Sequence, residues 1–370
     1  MRQRILLMYI TEVSGHHQAT IAIEKALTLL NPAVQTLNIN GFSYAYPIVE
    51  KIVNKAYMGI IKRTPRIWDY LYDNPKVVKR TQSIKKAIHK SNHVKLAKLF
   101  GEFKPDAVVC TQAFPCGMVA DYKKTYSMEF VLLGVLTDYA PHSYWVHEGV
   151  DYYIVPSQES KDRFIKEGIS SDKIKLFGIP VAPKFTATLN KGLIAEQLNI
   201  DTSIPTILIM GGGQGLGPIR DIVKSVVSIE NECQLIVVAG TNKKLITWLK
   251  SFCKKSPKRI LTYEYADNIE ELMEIATFIV TKPGGMTTTE SLVKGLPMVI
   301  VNPIPGQELH NTNFLLKHGI AVKVDKAKEV GREIDALLSS PQRIARMRQA
   351  AFEHSRPSAA FDIAQLIQYV

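Results

Sequence analysis

Short runs of β-branched and aliphatic residues alternate with helical patterns along the whole chain, and the alternation starts twice. The first series runs through Ile5 to Tyr9, Val34 to Ile39, Ala107 to Cys110, Phe130 to Val135, Tyr152 to Val155 and Ile174 to Phe177. After the Pro-rich turn Gly178-Ile-Pro-Val-Ala-Pro183 it resumes at Thr206 to Met210, Leu235 to Ala239, Ile260 to Tyr263, Phe278 to Val280, Met298 to Val301 and Ala321 to Val324. Strands separated by helices are the mark of βαβ units and parallel sheets. A chain of 370 residues also exceeds what one ordinary core organises. The expected fold is therefore α/β, with two Rossmann-like domains at residues 1–184 and 185–353. A helical pattern from Ile334 through Ala351 ends before Pro357, leaving residues 354–370 as a C-terminal helix that crosses back onto the first domain.

Composition narrows the class. Hydrophobic residues at 46% and charged residues at 22% describe a folded chain without a low-complexity tract. Cys110, Cys116, Cys233 and Cys253 stand singly, match neither zinc-site pairs nor a disulfide framework, and imply a reduced, cytoplasmic setting. The apolar stretch after Met1-Arg-Gln-Arg is too short for a signal sequence and reads as the first strand. No apolar run approaches the roughly 18 residues that span a bilayer, so membrane contact is expected to be peripheral, on the cytoplasmic side.

The net charge of +12 is concentrated early. Between Lys51 and Lys104 stand 14 Lys and Arg against Asp69, Asp73 and Glu102. Bases such as Lys62 and Arg63 are interleaved with Trp68 and other aromatics, a mixture suited to anionic lipid. Nucleic acid would accept the charge but leaves the aromatics and the Gly-rich loops unexplained.

In open parallel sheets ligands bind beyond the carboxyl ends of strands. Gly211-Gly-Gly-Gln-Gly-Leu-Gly-Pro218 follows a strand and opens a helix, so backbone N–H groups can approach a phosphate. It fits neither GxGxxG nor a P-loop, which weakens NAD and ATP as ligands. Lys282-Pro-Gly-Gly-Met-Thr-Thr-Thr-Glu-Ser291 is a second such anion loop, with Glu290 placed to meet a ribose diol. Asn302-Pro-Ile-Pro-Gly-Gln-Glu-Leu-His-Asn311 offers Gln307 and Glu308 to sugar hydroxyls. In the first domain, Thr11-Glu-Val-Ser-Gly-His-His17 puts His16 or His17 where a general base is needed. Asp138, His142 and His147 gather after another strand, without the spacing of a metal site.

Taken together, SGHH at Ser14, TDYAPHSYWVHEGVDYYIVPS at Thr137, GGGQGLGP at Gly211, TKPGGMTTTESL at Thr281 and PGQE at Pro305 resemble glycosyltransferase family 28, and within it the monogalactosyl- and glucosyl-diacylglycerol synthases. The resemblance implies a GT-B fold whose parallel sheets face each other across a cleft, and inverting transfer of a hexose from UDP-glucose or UDP-galactose to diacylglycerol. It implies no cofactor and no metal, the UDP-hexose being a co-substrate. By this resemblance His16 is the base, with Gly15, Asp138 and His142 on the acceptor side. Gly212, Gly213, Gly215, Thr241, Tyr265, Gly284, Gly285, Thr287 and Glu290 would hold the nucleotide, and Gln307 and Glu308 the hexose. The basic region with Lys62, Arg63 and Trp68 would dock on an anionic membrane, and no nucleic acid is expected. The related N-acetylglucosaminyl transfer to a polyprenyl-linked precursor and a UDP-sugar epimerase are the alternatives.

Overall fold

A computed structural model describes residues 3–12, 14–45, 92–304 and 306–369. Lys62, Arg63 and Trp68 lie outside the described residues. Two compact units emerge: residues 1–183 with 305–307 and 356–370, and residues 184–304 with 308–355.

In the first unit the strands β1 (Arg4–Tyr9), β2 (Gln35–Asn40), β3 (Ala107–Cys110), β4 (Val131–Val135), β5 (Tyr152–Ile154) and β6 (Ile174–Lys175) form one sheet in the order β2-β1-β3-β4-β5-β6. Every pairing in it is parallel. The helices are α1 (Gly15–Leu30), α2 (Gly41–Ala45), α3 (His93–Phe103), α4 (Ala113–Tyr126) and α5 (Gln158–Lys166). Successive side chains of β1 serve opposite faces, and both faces are covered, which is why the strand is apolar throughout. Leu6 and Met8 join Leu96, Phe100, Met118 and Val119 on one side. Ile5 and Leu7 join Ala22, Ile23, Ala26 and Leu27 of α1 on the other, together with Ile363 and Ile367 of the C-terminal helix (Ala359–Tyr369). That helix is tied to the strand edge where Gln3 Nε2 donates to the Ile367 carbonyl across 2.7 Å. The edge strand β6 is shorter than the expected Ile174 to Phe177, because the chain bends into Gly178, whose φ of +101° lies in the left-handed region.

The second unit repeats the plan with β7 (Thr206–Met210), β8 (Gln234–Val238), β9 (Ile260–Tyr263), β10 (Phe278–Thr281), β11 (Met298–Val301) and β12 (Ala321–Val324), in the order β12-β11-β10-β7-β8-β9. Its pairings are also parallel throughout. The helices here are α6 (Lys191–Gln197), α7 (Ile219–Val227), α8 (Lys243–Phe252), α9 (Ile269–Ile275), α10 (Gly285–Val293), α11 (Gln307–Lys317), α12 (Val330–Leu338) and α13 (Pro341–Glu353), so that the C-terminal helix is α14. The single helix expected from Ile334 to Ala351 is two helices. Pro341 has no N–H to continue α12 and instead begins α13, where its fixed φ suits the first turn. In each sheet the strands run the same way, so the loops that follow them collect at one edge.

Candidate active site

Three adjacent strands of the first unit build the surroundings of His16. β1 leads into the 10–14 loop, β3 into Thr111 and β4 into Thr137, and β1-β3-β4 are neighbours. Ser14 caps α1 by accepting the His17 N–H, which sets where the helix begins and so where His16 projects. Thr11 holds a φ of +62°, a conformation that costs a β-branched residue energy and is found here in the loop that carries the histidine.

His16 Nδ1 lies 2.9 Å from the Thr111 carbonyl oxygen and 2.8 Å from Thr137 Oγ1. A carbonyl only accepts, so Nδ1 carries the proton, the Thr137 oxygen shares it, and Nε2 is left with its lone pair. Thr111 also binds from the other side, its hydroxyl donating to the His16 carbonyl at 2.9 Å. Burial pushes the His16 pKa down from 6.5 to about 4, opposed by the Thr111 hydrogen bond, so the ring is neutral above that pH. His17 is turned elsewhere. Its ring stacks on Tyr9 at 4.1 Å and its Nδ1 lies 2.8 Å from the Glu12 carbonyl oxygen. The two histidines that sequence left as equals are thus separated by geometry.

Of the other residues on this side, Gly15 is the first residue of α1, and Asp138 follows Thr137, both half-buried. His142 is half-buried against Tyr144 at 5.6 Å between ring centroids. His147 is wedged over Gly117, where a Cβ would come within 2.4 Å of its Nε2. Among the described residues no three His, Cys, Asp or Glu side chains converge to hold a metal ion. Replacing Thr137 by Val should remove one acceptor from Nδ1–H and lower kcat roughly fivefold, from about 1 kcal/mol for a neutral hydrogen bond. KM for the nucleotide sugar should stay put; steady-state kinetics checks both.

In the second unit the loops after β7 and β8 are knitted together by one backbone and one side-chain bond. Thr241 N–H donates to the Gly213 carbonyl at 3.0 Å, and Asn242 Nδ2 donates to the Gly215 carbonyl at 3.0 Å. At Gly215 φ is +55° and a Cβ would stand 1.9 Å from the Ala239 oxygen, so only glycine fits. Gly212, with φ +68°, leaves a Cβ site open toward Lys282. The helices behind the glycine loops, α7 and α10, have no side-chain caps, so no capping side chain competes for the first-turn N–H groups that an anion would use. Gly284 and Gly285 form the entry to α10, Thr287 lies in its first turn, and exposed Thr241 and Tyr265 follow β8 and β9 at the same sheet edge. Gly215→Ala should push the glycine loop off the Ala239 backbone, lowering the melting temperature, since left-handed φ alone costs alanine about 1–2 kcal/mol, and weakening UDP binding by more than about tenfold in calorimetry because the displaced loop no longer presents its N–H groups.

Glu290 is half-buried on α10, and burial pushes its carboxyl up from 4.5 to about 8, with Lys184 pulling it down and Glu270 up. A raised acid favours the fold below pH 4.5, and that contribution is lost as pH rises through about 8. Glu290→Gln should therefore gain thermal stability over the parent at pH 8 to 9 but not at pH 4 to 5. It should also bind UDP more weakly, by roughly fivefold if a hydrogen bond to the ribose is lost. Melting curves across pH and UDP titrations measure the two effects separately.

Lys282 opens the loop that follows β10 and finds its partner only in the fold. Its Nζ lies 2.6 Å from Glu308 Oε1, with the two side chains 25% and 5% exposed. Its Cε passes 3.8 Å from the open Cβ position of Gly212. Glu308 Oε2 accepts the Ile304 N–H at 2.9 Å, so both carboxylate oxygens are occupied within the protein. Asn311 Nδ2 donates to the Pro283 carbonyl at 3.0 Å, locking the 282–284 loop to α11, whose first residue is half-buried Gln307. Glu308 is thereby buried and holds Lys282 in place.

Comparison with known proteins agrees with this arrangement. Residues 16–181 match the family described as monogalactosyldiacylglycerol (MGDG) synthase, and residues 206–365 match the glycosyltransferase family 28 C-terminal domain. A processive diacylglycerol beta-glucosyltransferase of Bacillus subtilis is 28% identical over 352 residues, 94% of this chain and 90% of that one. Its namesake in Bacillus cereus is 27% identical over 368 residues, covering 98% and 93%. Among solved structures, MurG of Acinetobacter baumannii superposes with a TM-score of 0.66 at 14% identity over 100% of both chains. The UDP co-structure of MnaA from S. aureus gives 0.65 at 14% identity over 99% of this chain and 96% of that one. At such identities the structures speak for the GT-B-like fold alone. With the two family matches spanning both units, the chain belongs to glycosyltransferase family 28 and is a hexosyltransferase.

Proposed function

We propose that the chain transfers a hexose from UDP-glucose or UDP-galactose to the free hydroxyl of diacylglycerol, with inversion at the anomeric carbon. The orientation of His16 carries this reading: Nδ1–H is held by Thr111 and Thr137, and the lone pair of Nε2 remains to take a proton. The Bacillus relatives named for diacylglycerol support the choice of acceptor. Residues 1–184 serve the acceptor, residues 185–353 the UDP-sugar, and residues 354–370 belong with the former.

As the glycerol hydroxyl attacks the sugar from the face opposite UDP, its proton passes to His16 Nε2 and the C1–O bond to the β-phosphate breaks. One displacement inverts the anomer. The diphosphate charge that develops is met by the N–H groups at the starts of α7 and α10 and by Lys282, fixed in place before the reaction. Glu290 receives the ribose diol, Tyr265 and Thr241 flank the base and ribose, and Gln307 meets the hexose. No metal is assigned a part in this scheme. The enzyme works at the cytoplasmic face of a membrane, held there peripherally, and no helix among the described residues is long and apolar enough to cross a bilayer.

To test the reading, the protein is incubated with diacylglycerol vesicles and each UDP-hexose separately, and the lipids are analysed by mass spectrometry. A hexosyl-diacylglycerol from either donor is expected. Absence of any lipid product from both donors, with UDP binding intact, would refute the acceptor.

A further inference from the structure

The second unit carries a basic face that the donor chemistry does not use. From Lys243 to Arg259 the chain reads KKLITWLKSFCKKSPKR, with seven Lys or Arg and no acid. α8 occupies the first part, and its spacing sorts the residues. Leu245 and Leu249 are buried in the core of the unit. Lys243, Thr247, Lys250 and Lys254 continue along one exposed line, and Lys244, Ser251 and Lys255 along the next, with half-buried Trp248 between them. The face does not stop at α8. Arg220 and Lys224 of α7, both exposed, stand 5.7 Å and 5.9 Å from the Trp248 ring, and Arg220 Nη2 donates to the Lys244 carbonyl at 2.6 Å. Phe252 stacks on Trp248 with 4.6 Å between centroids.

A surface built only for solubility mixes both signs of charge. Here Lys250 pairs with Glu264 at 3.2 Å, both side chains largely exposed, which neutralises little. Asp221 in the first turn of α7 is the other acid within the stretch of helix that contributes cations. What remains is a cationic, acid-poor face bordered by an indole and a phenyl ring, the composition that favours an anionic lipid surface.

We propose that the exposed α7–α8 face of the second unit binds an anionic phospholipid bilayer, as a contact separate from the early basic segment. The choice of a bilayer over another polyanion rests on the reading that the acceptor is a membrane lipid. The contact would keep the UDP-sugar-binding unit at the surface where the acceptor resides.

The test compares the full-length protein with the variant Lys244→Gln/Lys250→Gln/Lys254→Gln/Lys255→Gln and with a control, Lys317→Gln/Lys323→Gln/Arg346→Gln, exposed cations on α11, β12 and α13 of the same unit. Partitioning is measured on phosphatidylcholine vesicles with and without phosphatidylglycerol. Each base near an anionic surface is worth about fivefold, so the α8 variant should lose more than about tenfold on phosphatidylglycerol vesicles. The control should lose little, and UDP titration should be the same for all three. A second readout keeps the result independent of charge count. In a Trp68→Phe background, Trp248 should be quenched by brominated phosphatidylglycerol, while Trp145, only 4% exposed, should not respond. Unchanged partitioning of the α8 variant, or equal losses in the control, overturns the proposal. So does binding of duplex DNA that depends on these lysines while vesicle binding does not. A loss of vesicle binding in a protein that makes no lipid product would leave this surface standing and reject the acceptor instead.

Discussion

His16→Ala is expected to lower kcat by about 10²–10⁴-fold while the affinity for UDP stays within a factor of about two. The expectation follows from position. His16 sits in the first unit, held by Thr111 and Thr137, whereas the glycine loops, Lys282 and Glu290 lie in the second. Removing the ring takes away the proton acceptor and nothing that was assigned to the nucleotide. Because burial keeps the ring neutral down to about pH 4, the acid limb of the parent's kcat/KM profile should fall below pH 6.5. His17→Ala is the companion variant. Its ring is engaged with Tyr9 and Glu12, so its loss should leave turnover close to that of the parent. Stopped-time product assays with UDP calorimetry distinguish the cases, and a His16→Ala enzyme turning over like the parent would remove His16 from the chemistry.

Lys282→Met should be the most damaging change in the second unit, on two separate scales. Stability should fall by about 3 kcal/mol, the low end for breaking a buried pair, because Glu308 at 5% exposure is left without the cation it pairs with while Lys282 was a quarter exposed. Turnover should drop on the order of a hundredfold or more, as when one preorganised group facing a developing charge is lost. Lys282→Met/Glu308→Gln separates the two. The amide still accepts the Ile304 N–H and no longer buries a lone charge, so melting temperature should largely return. Activity should not. Full recovery of both would mean that Lys282 serves only the fold.

Much of the architecture is written locally. β7 lies between Pro205 and Gly211 and is apolar on both faces, so its ends and its burial in a parallel sheet are readable together. β3 and β11 are likewise buried throughout, and β9 and β12, partly exposed at the two edges of the second sheet, also match the sequence reading residue for residue. The break at Pro341 has no periodic signature, because apolar spacing continues through Ile344 and Met347 and a proline that only begins a new helix leaves that spacing intact.

The site was legible as loops rather than as contacts. Glycines at 212, 213 and 215 announce close backbone approach, but the partner of that approach, the 239–242 turn, has no sequence signal. His16 and His17 are equivalent in sequence until Tyr9 takes one ring and a peptide oxygen takes the other. Thr111 acts through its carbonyl, which every residue has. The Lys282–Glu308 pair joins positions 26 apart, and only the neighbouring placement of β10 and β11 brings their loops together.

The account turns on a single displacement by an acceptor hydroxyl, and the anomeric configuration of the lipid product reports it directly. UDP-hexoses carry the sugar in the α configuration, so proton NMR of the hexosyl-diacylglycerol should show a β linkage, with the large coupling of an axial anomeric proton. An α-linked product would contradict the inverting route and the part assigned to His16.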